Sequence, residues 1–311
     1  MSFSQISFLQ TLFGPEVFAA ALRVMIPLLL AALGGLLTKQ AGIENIGLEG
    51  LMLIGCFSGF VVNYYTSNWI AGLIGGAVFT TLAALLFGVF VISLRAHEIV
   101  AGVAVNMLGL GVTTYLLRAI FGVKGSFTDP RIRGIPTLEL GFLENVPVVG
   151  VIFSRQSIMV WIGLALVIAI HFLLYHARFG YYIRAAGENP QALSTSGISL
   201  PRTRYITVLI HGVLCGLGGA YLSTGYLTQY VENMSAGRGF IAMAAIAFGG
   251  AKPMRVFFSA ILFAFVESLS NRLQLVEVPS YFALMIPYVV TVIVLAVTSW
   301  REKQKSKTST L

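Results

Sequence analysis

Apolar runs fill most of the chain, and the polar positions fall between them at intervals that suit a membrane. A hydrocarbon core takes about 20 apolar residues to cross as a helix, so each run of that order predicts a span. The first is predicted over 16–38, with Arg23 near one end where a long side chain can snorkel. From Gly50 to Leu94 there is no Asp, Glu, Lys or Arg. That stretch breaks at Asn63-Tyr-Tyr-Thr-Ser-Asn-Trp69, where aromatics sit as an interfacial belt would, and so predicts two spans, 47–65 and 69–93. Further spans are predicted over 99–120, 157–175, 205–229, 256–272 and 282–299.

Between 240 and 250 the chain is apolar but too short to cross as a helix, and it ends abruptly on Gly249-Gly-Ala-Lys-Pro253. That is the pattern of a half helix, which transporters place around binding sites. The predicted fold is therefore all-α: a polytopic integral membrane protein with about nine (eight to ten) transmembrane helices, broken or half helices included. Residues 1–311 read as a single transmembrane domain.

Composition agrees. The chain of 311 residues is 57% hydrophobic and only 10% charged, with a mean hydropathy of +0.86. Its net charge of +8 sits in short loops and the tail, where bases orient membrane proteins. No basic patch with interleaved aromatics accompanies it, which argues against nucleic acid. Cys56 and Cys215 lie alone in apolar runs and give no metal or disulfide pattern. Residues 1–13 show neither a basic n-region nor a cleavage site, so no removable signal peptide is expected.

The polar islands carry the candidate chemistry. Gly42–Gly50 holds Glu44, Asn45 and Glu49 among glycines, and reads either as an ordinary cytoplasmic turn or as a broken-helix element beside a pathway. Asn106 falls mid-span, and Glu267 and Asn271, at i and i+4, share one helix face. Each reads either as helix–helix hydrogen bonding or as the lining of a route for an uncharged polar solute. No catalytic set is visible, and no Gly-x-x-x-x-Gly-Lys-Ser/Thr loop for ATP. The four histidines are scattered, which argues against a metal site.

The loop over 176–204 has clear local physics. Asn189 is a good N-cap, Pro190 suits the first helical position, and Gly197 suits a left-handed stop. One short helix is predicted there, with Gly187 letting the chain turn. Arg178, Arg184, Arg202 and Arg204, with the basic tail, place this loop and the C-terminus in the cytoplasm and the N-terminus outside. The outer loop over 122–156 carries Lys124, Arg131, Arg133 and Arg155 against that rule.

Arg-Ala-x-Gly-Glu-Asn-x-x-Ala-x-x-x-x-Gly-Ile, starting at Arg184, resembles the cytoplasmic loop of ABC-importer permeases of the branched-chain amino acid, ribose and nucleoside group. Asn-Ile-Gly-x-Glu-Gly, starting at Asn45, resembles the nucleoside branch linked to basic membrane lipoproteins. The resemblance implies a multi-pass permease in the bacterial plasma membrane. It implies three partners: a second permease, identical or paralogous; an ATPase with tandem nucleotide-binding domains; and an extracytoplasmic substrate-binding lipoprotein. ATP and Mg would sit on the ATPase, with no cofactor on this chain. Arg184, Gly187, Glu188, Asn189, Pro190, Ala192 and Gly197 would form the coupling element. Asn45, Glu49, Asn106, Phe248, Glu267 and Asn271 are the expected route. Nucleosides are the expected substrate, with ribose or another simple sugar as the alternative. An ion-coupled secondary transporter is the competing mechanism and would depend on Glu49 and Glu267.

Overall fold

A computed structural model describes residues 14–139, 141, 149–274, 285–287, 289–293 and 296. The basic tail, the lead-in before residue 14 and most of the predicted last span lie outside the described residues.

The helices are α1 (Pro15–Gln40), α2 (Leu48–Thr66), α3 (Trp69–Ser93), α4 (Glu98–Phe121), the short α5 (Val149–Phe153), α6 (Ile158–His176), α7 (Arg178–Glu188), α8 (Pro190–Thr195), α9 (Leu200–Tyr226), α10 (Arg238–Phe248) and α11 (Pro253–Leu273). Among the described residues, seven are long and apolar enough to cross a membrane, and α10 is apolar but short. These seven and α10 match eight of the predicted elements; the ninth, 282–299, lies mostly outside the described residues. Helix starts follow local chemistry. Proline occupies the first turn of α1, α8, α9 and α11, where its missing N–H leaves no bond unmade. The Asn68 side chain accepts from Ile70 N at 2.8 Å and caps α3.

Burial sorts the helices into inner and outer. The apolar stretch of α1 is 78% buried, against 28% for α4 and 33% for α3. Helix α1 runs through the centre and packs on α9, α10 and α11. Helices α3 and α4 turn Ile74, Phe79, Leu82, Val100 and Met107 outward, as lipid-facing surfaces do.

Contacts define two ends. At one end the corner after α1, the start of α4, the loop over 176–204 and the end of α10 meet, through Gln40 to Ala251, Arg204 to Ala41 and Glu44 to Glu98. At the other end β1 (Ser126–Phe127) pairs antiparallel with β4 (Tyr230–Val231), and β2 (Thr137–Glu139) with β3 (Arg155–Ser157). There Arg131, one of the bases that ran against the orientation rule, and Arg118 at the end of α4 find acidic partners. Arg131 bonds Asp129 at 3.0 Å and stacks on the Tyr64 ring, and Arg118 meets Glu232 at 3.5 Å. The hydrogen bond from Arg131 holds the Asp129 carboxyl below the usual carboxylate range.

Candidate functional site

The centre of the site is the start of α10. Between α9 and α10 the backbone takes left-handed conformations at Thr228, Asn233, Ala236 and Gly237, so no helix continues through it. Helix α10 therefore begins inside the protein with unpaired backbone N–H groups. The Glu49 carboxylate, in the first turn of α2, answers them. It accepts from Gly237 N at 2.8 Å, from Gly239 N at 2.7 Å and from the Ser235 hydroxyl. Glu49 is 7% exposed. A buried carboxylate is tolerated when donors and a positive helix end surround it, and here both do. A Cβ on Gly239 would stand 2.4 Å from the Glu49 backbone nitrogen, so only glycine allows this approach.

The same turn is held from the other flank. Arg238 pairs with Glu267 of α11, both side chains being largely buried. Sequence reasoning singled out Glu49 and Glu267 but missed Ser235 and Arg238. These lie in what reads as a polar loop, and nothing in their spacing points at a carboxylate 186 residues away for Ser235 or 29 residues away for Arg238.

The link over 42–47 folds inward as a non-helical segment that ends where α2 begins at Leu48. Asn45 accepts from Gly47 N at 2.7 Å and donates to His211 Nε2 at 3.1 Å. Asn106 of α4 accepts from Gly50 N at 2.7 Å and donates to Ile46 O at 3.0 Å. Both amides are thus engaged in holding the link in place. Two cavities flank α10. One of about 380 Å³ is lined by Lys39, Glu44, Asn45, Phe240, Met243 and Ala247 among others. A smaller one of about 120 Å³ is lined by Arg238, Glu267, Ser270 and Asn271 among others. Of the expected route residues, Asn45 lines the first and Glu267 and Asn271 the second. Glu49 and Asn106 lie behind them, and Phe248 stands exposed at the end of α10.

The loop over 176–204 holds two helices rather than the single one predicted. The missed one, α7, is amphipathic, burying Gly180, Ile183 and Ala186; its period is hard to read because only Ile183 of these is large and apolar. Its Arg184 guanidinium lies over the rings of Tyr175 and Tyr181 at 5.2 and 5.0 Å. Helix α8 matches expectation. Asn189 accepts from Ala192 N at 3.0 Å, and Gly197 follows with φ +78°. Within α8 only Leu193 is buried, and Gln191, Ala192, Ser194 and Thr195 face outward. Glu188 is exposed beside them. Gly187 corrects the prediction: it lies within α7, not at a turn, and serves close approach. A Cβ there would stand 2.2 Å from the Gln40 carbonyl oxygen.

Residues 17–295 match the family described as branched-chain amino acid transport system / permease component. The chain is 35% identical to the guanosine ABC transporter permease protein NupQ of Bacillus subtilis, over 90% of either chain. It is 36% identical to the nucleoside ABC transporter permease protein NupC of Lactococcus lactis, over 87% of this chain and 88% of that protein. A solved structure described as an inward-facing conformation of a metal-chelate type ABC transporter superposes with a TM-score of 0.51. It covers 95% of this chain and 90% of that one at 12% identity, a likeness of fold alone.

Proposed function

The chain belongs to the permease family of branched-chain amino acid transport systems, and from that premise we propose that it is a nucleoside-translocating subunit of an ATP-driven importer. The observation that carries this reading is similarity along nearly the whole chain to a guanosine and a nucleoside permease protein. The site is compatible with it. A cavity of about 380 Å³ falls in the range of small-molecule sites, roughly 300–1,000 Å³. The charges beside it are internally matched, which suits an uncharged polar solute.

In this reading α8 is the coupling helix, docking with its exposed face in a groove of a cytoplasmic ATPase with tandem nucleotide-binding domains. ATP and Mg are bound there, and this chain hydrolyses nothing. A second permease subunit completes the route, and an external lipoprotein delivers substrate at the opposite end. Glu49 and Glu267, the carboxylates an ion-coupled carrier would need, are engaged by backbone donors and by Arg238, which favours ATP as the driving force.

The test is uptake in proteoliposomes holding the complete complex, with labelled guanosine, cytidine, ribose and glucose offered in turn. Nucleoside uptake that requires ATP and survives collapse of proton and sodium gradients is expected. Uptake of sugars alone, or uptake driven by a gradient without ATP, would overturn the proposal.

A further inference from the structure

Two helices that share no sequence neighbourhood meet at one corner of the protein. Helix α1 ends on Gln40, and the turn 41–42 follows. On one side of this corner lies the end of α7, close to the α8 coupling element. Gly187 of α7 packs on the Gln40 carbonyl, where a Cβ would stand only 2.2 Å from the oxygen, and a Cβ on Gly42 would in turn stand 3.1 Å from Gly187 Cα. Arg204, in the first turns of α9, donates to Ala41 O at 3.2 Å. On the other side lies the end of α10. There the Gln40 side chain donates from Nε2 to Ala251 O at 2.8 Å.

Ala251 is an unusual acceptor. It follows the left-handed Gly250 and is itself left-handed, with φ +51°. An L-residue with a Cβ keeps that conformation only when its surroundings impose it. Two bonds impose it here: Ala251 N donates back to Ile246 O at 3.0 Å, and Gln40 holds the carbonyl. The opposite end of α10 is fixed to α2 by Glu49 and to α11 by Glu267. A shift of the corner would therefore act on the turn between α10 and α11, at one end of α10, while the other end is anchored.

We propose that Gln40 is the positioning residue through which the coupling loop moves the half helix α10. This rests on the reading of α8 as the ATPase-docking element. Coupling between distant sites needs a physical element that both of them bias. Gln40 meets that requirement, since its backbone abuts α7 and its side chain holds α10.

The experiment uses the complete transporter in lipid and measures guanosine moved per ATP hydrolysed, together with retention of the ATPase on purification. Gln40→Leu removes the donor, and Gln40→Glu keeps the size while replacing the donor by an acceptor. Both are expected to lower the ratio about tenfold with the ATPase retained, as loss of a coupling contact should. Gln40→Lys keeps a donor and is expected to retain most of the ratio. A ratio unchanged in both Gln40→Leu and Gln40→Glu would overturn the proposal. A Gln40→Lys protein that assembles but is as defective as Gln40→Leu would overturn it equally. Ala192→Trp separates the two readings. If it uncouples transport while Gln40→Leu does not, only the role of Gln40 falls. If Ala192→Trp leaves association and ratio intact, the coupling helix itself is misassigned.

Discussion

Glu49 accepts the backbone N–H of Gly239 at 2.7 Å across a sequence separation of 190 residues. The two residues come from helices that enter from opposite parts of the chain, and the bond joins the start of α2 to the start of α10. A half helix exposes unpaired N–H groups within the protein, and an internal carboxylate closes that deficit without taking a ligand.

Replacing Glu49 by Gln is expected to keep the volume and lose the charge. One amide oxygen cannot serve Gly237, Gly239 and Ser235 together. Hydrogen bonds to a charged group contribute about 1.5–3 kcal/mol each, so loss of one or two should lower the melting temperature of the purified protein clearly. Guanosine uptake should fall with it. A melting temperature equal to wild type would mean that α10 starts stably without this carboxylate.

A methyl group distinguishes glycines that are required from those that are not. Gly239→Ala would place a Cβ 2.4 Å from Glu49 N and 2.5 Å from Glu49 Cα. Backbone cannot yield as a side-chain tip can, so α10 must move away from α2 and transport should be lost. Gly111→Ala meets nothing within 4 Å. Alanine there should be neutral or stabilise the helix by up to ~1 kcal/mol. Melting curves and uptake on both variants check the contrast.

Much of this architecture was legible in the sequence, because burial in lipid forces long uncharged runs and the helix ends carry prolines and glycines. The Asn189–Pro190 start and the Gly197 stop of α8 are local chemistry and were read residue by residue. The half helix was legible from its length and from Gly249-Gly-Ala-Lys-Pro253. Its anchors were not. Ser235, Arg238 and Gln40 matter through partners far away in the chain, and no periodicity encodes such pairs. Asn106 shows the opposite limit: a polar residue inside a span is conspicuous in the sequence, while its partners are the backbone at Gly50 and Ile46. Gly187 was noticed for the wrong reason, since a close approach and a turn both demand glycine.

Arg238 and Glu267 form a largely buried pair. Removing one partner leaves the other charge without compensation, which costs about 3–5 kcal/mol, whereas replacing both by apolar groups is often nearly neutral. Glu267→Leu alone should therefore destabilise more than the double change Arg238→Leu with Glu267→Leu. A thermodynamic cycle over the four proteins measures the difference. If the double variant is stable but fails to transport, the pair serves the route rather than the fold. Independent, additive losses would show that the pair contributes no coupling.

Orientation can be read with single cysteines. Ser196 and Thr128 are exposed at opposite ends, and the native Cys56 and Cys215 are buried. Ser196→Cys should react with a membrane-impermeant maleimide only from the cytoplasmic side, and Thr128→Cys only from outside. Labelling of both from one side would overturn the two-ended arrangement.

The face of α8 proposed to dock on the ATPase gives the sharpest mutational contrast. Helix α8 is short, its Asn189 cap bonds Ala192 N at 3.0 Å, and its end is set by Gly197 at φ +78°. The space around Gly197 is open, so a side chain there is opposed by the backbone conformation and not by a neighbour. A β-branched residue is a poor fit to positive φ, and Gly197→Val should loosen the end of the helix. Ala192→Trp acts differently. Ala192 is exposed, so the indole leaves the helix formed and adds bulk to its outer face. Either change should release the ATPase or cut substrate-stimulated ATP hydrolysis. Delivery by the external lipoprotein, at the other end of the molecule, should persist. Co-purification of the ATPase and its stimulated activity in lipid are the measurements. Local loosening by Gly197→Val should be relieved by Gly197→Asn, because asparagine tolerates the left-handed conformation, whereas bulk at Ala192 has no such remedy. Full association and full stimulation in both Gly197→Val and Ala192→Trp would return this loop to a simple connector between α6 and α9.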